Sequence, residues 1–237
     1  MKRIYLDKSF LFFLAIIILT GSFNDFILYF SLLIIHELGH TITGLLLGYK
    51  LDKISFYSYG GVTKFNMMMN VPLKKELLIL IMGPVAQIIG YLILKIYIDS
   101  NNLTLYHYTL LIFNLLPVYP LDGGRLVNLF CNYFCSYIRS FYLSFGFSLI
   151  VLTCLFIYNI LHFNLNLLIM IIVLFIKLFN SRKNLMYLYN RFLLERHLYD
   201  FSFKKEEYIN SINKFYRDRS HVINLEKEKN ALRKYFR

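Results

Sequence analysis

Fourteen carboxylates occur in this 237-residue chain, and two of them, Glu37 and Asp122, sit in or at the end of strongly apolar segments rather than at charged margins. An ionisable group at membrane depth is costly unless it is paired or bound to metal, so both read as functional. Glu37 belongs to His36-Glu37-Leu38-Gly39-His40, an HExxH pattern. On a helix the two histidines are four residues apart and point to one side. They can therefore share one Zn²⁺, while Glu37, about 100° round, can reach a metal-bound water. Catalytic zinc takes three protein ligands and keeps one position open. Asp122 is the candidate third ligand, because it follows Pro117 and Pro120 in NLLPVYPLDGGRL. There the proline rings break a helix, and Gly123-Gly124 permit a close-packed backbone.

Bland readings compete with each of these. An HExxH string arises by chance in many soluble proteins, but within the 22-residue apolar run Phe26 to Leu47 an unused glutamate between two histidines is costly. Asp122 alone reads equally as the helix-terminal residue of a loop. The other four histidines are weaker: His107 and His162 lie near the outer ends of apolar runs and His197 and His221 in a basic tail, where surface or interfacial positions are expected. Cys131 and Cys135, four apart, read as packing residues, and with Cys154 they are expected to be reduced thiols.

The elements that must hold these groups are membrane helices. The chain is 57% hydrophobic and 17% charged, against about 45–50% and about 25% in soluble domains. Too few charges remain to coat a soluble surface, so the missing surface is lipid. Abundant aromatics exclude a disordered chain, and 11 Gly with 4 Pro exclude a low-complexity one. From Ser181 onward 14 Lys/Arg face 7 acids, so much of the net charge of +12 sits in one tail. Anionic lipid headgroups and topology explain that better than nucleic acid.

Six runs are candidate spans: Ser9 to Phe23, Phe26 to Leu47, Leu77 to Ile98, Leu103 to Leu121, Phe141 to Ile160 and Phe163 to Phe179. The first is short enough for a cleaved signal peptide, but the basic residues argue against cleavage. Lys and Arg fall in alternate connections, with Lys95 the exception, which puts both termini in the cytoplasm. The expected fold is an all-α, multi-pass cell-membrane protein: six transmembrane helices over residues 1–180, a short membrane-associated β-hairpin, and a basic cytoplasmic tail over 181–237. The hairpin is read from Leu51 to Asn70, whose apolar and polar residues alternate around Gly60-Gly61. A non-helical segment beside a membrane site must be buried in protein or line a wet cavity. Gly60, Gly61 and Val62 therefore become candidate substrate contacts, although an ordinary cytoplasmic loop fits the composition as well.

The HELGH at 36–40, GPVAQ at 83–87 and NLLPVYPLDGG at 114–124 together resemble, in order, the three signature regions of the site-2 proteases, intramembrane zinc metalloproteases that cleave membrane-associated regulatory proteins. The resemblance implies one zinc per chain held by His36, His40 and Asp122, Glu37 as general base, and Asn114 and Pro120 as residues that seat the substrate. The compact body, the lack of an inserted PDZ domain and FLLERH at 192–197 are most similar to the sporulation branch of the family, which processes a sigma-factor precursor in the mother-cell membrane around the forespore. Inhibitory membrane partners are implied with it. Two departures stand out: Gln87 replaces the Asn common after the family's Gly-Pro, and the 57-residue tail is too short for the paired CBS domain of well-known members. A metal transporter would spread its ligands along a path from both faces, and a non-catalytic scaffold would have lost one of the four zinc-site residues.

Overall fold

The structure, a computed structural model, describes residues 4–7, 10, 11, 14, 17, 19–57, 60–98 and 100–236. Its chain divides into two compact units: Met1–Met67 with Leu77–Leu115, and Met68–Glu76 with Leu116–Arg237.

The first unit contains β1 (Ile4–Leu6), α1 (Phe23–Leu46), β2 (Lys50–Tyr57), β3 (Gly60–Asn66), most of α2 (Leu73–Tyr97) and α3 (Asn101–Leu115). Helix α1 carries the HELGH and ends where Gly48 adopts φ +84°. Gly48 N donates to Leu45 O at 2.9 Å and Tyr49 N to Gly44 O at 3.0 Å, paired bonds that close the helix at a left-handed glycine. The chain is thereby turned directly into β2. Strands run in the order β1-β2-β3, β1 parallel and β3 antiparallel to β2. Phe56 of β2 packs with Leu32 and Leu33 of α1 and with Tyr91, Leu103 and Leu110 in one buried cluster, so apolar burial holds the sheet on α1.

The register of β3 fixes what its edges offer. Tyr57 pairs with Gly60 across a two-residue connection, so this pair is hydrogen-bonded and its neighbours alternate. Gly60, Val62 and Lys64 thus bond to β2, while Gly61, Thr63 and Phe65 turn their main-chain groups to the opposite edge, where no strand pairs among the described residues. The expected hairpin is present, with two differences. Gly60, at φ +148°, opens β3 instead of forming the turn, and β1 adds a third strand, too short to show as alternation in sequence.

The second unit holds the Met68–Glu76 connector, α4 (Asp122–Phe134), α5 (Tyr137–Leu161), α6 (Leu165–Lys183), α7 (Leu185–Leu198), β4 (Glu206–Ile209), β5 (Ser220–Ile223), β6 (Glu226–Lys227) and α8 (Glu228–Tyr235). Asn164 caps α6 by accepting from Asn166 N at 3.0 Å and Leu167 N at 3.2 Å. Among the described residues, four helices are long and apolar enough to cross a membrane: α1, α2, α5 and α6. The run expected to span from Leu103 to Leu121 forms the 15-residue α3, about 22 Å long, and then leaves helical geometry towards Pro117 and Pro120. Much of the first expected span, Ser9 to Phe23, lies outside the described residues. The six-span arrangement stays an expectation.

The chain is mostly helical, as expected, but among the described residues it has two three-stranded sheets where one hairpin was expected, the second built from the tail. There Tyr189, Phe192 and Leu193 of α7 pack with Ile209, Phe215, Ile223, Ala231 and Leu232. Alternation along β5 turns His221 inward to 2% exposure, not to the expected surface. His221 Nε2 accepts from Tyr216 N at 2.9 Å, so the proton is on Nδ1, 3.2 Å from Glu228 Oε2. Burial holds this imidazole below its usual range, against the pull of Glu228. Phe192 is fully buried. Phe192→Ala is expected to destabilise the tail by about 3–5 kcal/mol, read as earlier proteolysis after α6 on heating.

Candidate metal centre

His36 and His40, one helical turn apart on α1, are 1% and 6% exposed. Each has its Nδ1 engaged with an oxygen. His40 Nδ1 lies 2.8 Å from Ile79 O on α2, one residue before the carbonyl of Leu80, which loses its helical donor to Pro84. A carbonyl only accepts, so His40 carries its proton on Nδ1. His36 Nδ1 lies 3.0 Å from Gln87 Oε1. The orientation of that amide is set from behind, since Gln87 Nε2 donates to His107 O at 3.0 Å. Gln87 is fully buried, so it offers its oxygen to His36.

Both Nε2 atoms consequently present lone pairs, and they face one another at 3.1 Å. Lone pairs at that distance repel unless a cation lies against both. Two ligands about 2.0–2.1 Å from a tetrahedral zinc are roughly 3.3 Å apart, so the donor type and the spacing both fit zinc. Gly83 makes room for the pair, because a Cβ there would meet His40 Nε2 at 2.3 Å.

Glu37 is 5% exposed and is held by β3. Thr63 Oγ1 donates to Glu37 Oε2 at 2.7 Å. A Cβ on Gly61 would lie 2.5 Å from Glu37 Cγ, which accounts for a glycine at this position. Val62 has its side chain on the other face of the strand. Asn114 lies half-buried in the last turn of α3.

Asp122 and Pro120 belong to the second unit. Asp122 is the first residue of α4 and follows the cis Tyr119-Pro120 bond. The approach to it is tied to α5: Tyr119 N donates to Ser148 Oγ at 3.0 Å, and Ser148 Oγ to Pro117 O at 3.4 Å. A side chain at Gly124 would strike the Val118 carbonyl carbon at 2.3 Å, so only glycine lets the first turn of α4 close on this loop.

Three contributors carry no assignment from sequence. Thr63 lies two residues beyond Gly61, and the period of a strand puts it on the same face. Gln87 stands out as an unusual amide in GPVAQ, but its role depends on His107. His107 is buried at 3% exposure and stacks on Tyr91 at 4.0 Å, which corrects its expected interfacial position. Helical packing against α2, invisible in a single sequence, makes the difference.

Residues 25–108 match the model of Peptidase family M50. The chain is 25% identical over 194 residues to Stage IV sporulation protein FB of Bacillus subtilis (strain 168), covering 77% of this chain and 67% of that protein. It is 37% identical over 142 residues to Zinc metalloprotease MJ0392 of Methanocaldococcus jannaschii, covering 52% of this chain and 41% of that one. It thus spans two thirds of the first relative and about two fifths of the second. Among solved structures, the Site-2 Protease from Methanocaldococcus jannaschii matches with a TM-score of 0.58 and 26% identity, over 75% of this chain and 89% of that one.

The hydrogen-bond chain from His107 O through Gln87 generates a prediction. Gln87→Leu keeps bulk but removes the acceptor that fixes His36, and zinc affinity is expected to fall about 10- to 100-fold, measured by competition with a chelator on the purified protein.

Proposed function

We propose that this chain, which matches Peptidase family M50 over residues 25–108, is a zinc metalloendopeptidase of the site-2 protease type that hydrolyses a peptide bond of a membrane-associated regulatory protein within the membrane, and that a sporulation sigma-factor precursor is its substrate. The observation that carries the hydrolytic reading is the buried pair of imidazoles with facing lone pairs, with Glu37 beside them on the same helix. The sporulation reading draws on the likeness to Stage IV sporulation protein FB and on the FLLERH segment. The Lys/Arg distribution supports cytoplasmic termini, and the sporulation reading puts the protein in the mother-cell membrane around the forespore.

Asp122 is proposed as the third ligand beside His36 and His40. Bound zinc supplies a Lewis acid for the scissile carbonyl and lowers the pKa of a water towards about 7. The remaining work falls to side chains of the chain. Glu37 takes the proton of the attacking water and returns it to the leaving amine. With Oε2 held by Thr63, Oε1 is the oxygen assigned to that transfer. Asn114 is proposed as a donor to the developing oxyanion, a contribution of about 10²- to 10³-fold in rate, and Pro120 as part of the substrate seat. A helical substrate hides its carbonyls and must unwind. The outward main-chain groups of Gly61, Thr63 and Phe65 suit an extended segment added as a fourth strand.

The hydrolytic reading is tested by co-expression with the sigma-factor precursor. Wild type should give a shortened product; Glu37→Gln should give none while retaining zinc, and Asp122→Ala should lose product and zinc together. Cleavage by Glu37→Gln at the wild-type rate would exclude Glu37 as base. Strand addition is tested at Phe65, whose N–H faces the open edge. Phe65→Pro should slow cleavage at least tenfold relative to Phe65→Ala, with equal zinc in both; equal rates would rule out pairing there.

A further inference from the structure

The backbone that links β3 to α2 satisfies its hydrogen bonds on side chains from the far end of the chain. Glu195 Oε2 accepts from Met69 N at 2.5 Å and from Asn70 N at 3.3 Å. Arg217 Nη2 donates to Val71 O at 2.8 Å, and Asp218 Oδ2 accepts from Leu73 N at 2.8 Å. Side chains reinforce this. The Asn70 amide donates to Phe192 O at 3.0 Å and accepts from Arg196 Nε at 2.7 Å, and Glu76 pairs with Arg217 at 2.8 Å. Buried main-chain groups must find partners, and those between Met69 and Leu73 find them on two carboxylates and an arginine.

The gripping side chains are themselves fixed. Arg196 is 2% exposed. Its Nη1 donates to Glu228 Oε1 at 3.0 Å and to Arg219 O at 2.8 Å, and its Nη2 to Tyr216 O at 2.9 Å. The rings of Phe192 and Phe203 lie 4.8 and 4.5 Å from its guanidinium carbon. Arg196 is thus committed to one position by contacts in the tail and extends one arm to Asn70. Charge-assisted bonds of this kind are the stronger class.

The connector is covalently placed between two functional elements. On one side β3 ends at Asn66, shortly before Met69; on the other, beyond Glu76, helix α2 supplies Ile79 O, Gly83 and Gln87 to the histidines. We infer that the C-terminal segment is a clamp whose residues Glu195, Arg196 and Arg217 are positioning residues: by fixing Met69–Glu76 they hold β3 in the register that receives the extended substrate. This rests on the reading of β3 as the substrate strand. None of the clamp residues is proposed to touch the scissile bond; the clamp acts through β3, on capture of the substrate and, through Thr63, on the seat of Glu37.

The test uses the full chain in lipid nanodiscs with the Asn70→Ala and Glu195→Gln variants, the second being a milder change that keeps size and one acceptor. Three quantities are read: zinc content, hydrogen exchange of the Val62 and Lys64 amides that bond to β2, and kcat and KM for a peptide bearing the cleavage region of the sigma-factor precursor. The expected result is exchange at Val62 and Lys64 faster by about tenfold or more, and KM raised by a similar factor, with zinc little changed and kcat falling as far as Thr63 lets go of Glu37. Unchanged exchange at Val62 and Lys64 in both variants would overturn the clamp, whatever happens to cleavage. Faster exchange with unchanged KM would support the clamp and remove β3 from substrate capture instead.

Discussion

Two nitrogen lone pairs meet at 3.1 Å in the interior of this protein, and the arrangement around them is what keeps them there. Without support, either imidazole could move its proton to Nε2 and fill the gap, or swing away. Both motions are blocked while Ile79 O and Gln87 Oε1 hold the two Nδ1 atoms. Two imidazoles held in this way are preorganised to share one cation. The packing of α1 against α2 follows from the same requirement. Gly39 lies where a Cβ would be 2.2 Å from Met82 O, so the helices approach closely enough for the bonds from α1 to reach the backbone of α2.

The sheet answers a second requirement, that a carboxylate at membrane depth be both desolvated and aimed. Glu37 obtains one hydrogen bond from Thr63 and steric room from Gly61, two alternate residues of one strand. The same strand turns outwards at those positions the main-chain edge that pairs with no strand among the described residues. Proposed general base and proposed substrate track are therefore coupled through the pleat of β3: a slip of one residue would remove the hydroxyl from Glu37 and reverse the edge together.

The local grammar of the site is readable in sequence. HELGH on an apolar run, the Gly60-Gly61 hairpin and the proline-broken approach to Asp122 each follow from short-range rules, and each has its counterpart in the structure. What escapes is the support. His107 and His221 sit in segments that look peripheral, and only packing against distant elements buries them. The tail reads as a basic segment because of its excess of Lys and Arg, yet Phe192, Phe215 and Leu232, far apart in the chain, converge into a core. Such long-range convergence leaves no periodic trace. The charges themselves mislead for a related reason: Arg196 and Arg217, counted towards a lipid-facing surface, are spent on buried bonds.

The separation in sequence between the connector and its partners bears on biosynthesis. The bonds that fix Asn70 and Val71 reach across 122 to 146 residues, more than half the length of the chain. Contacts of such high order form late, after the loop between them has been closed. A nascent chain released as far as Asn190 already contains His36, Glu37, His40 and Asp122, but none of Glu195, Arg196 or Arg217. The chemistry is thus translated first and the means of holding β3 last, so that maturation of the hairpin edge waits on the emergence of α7 and the small sheet that follows it.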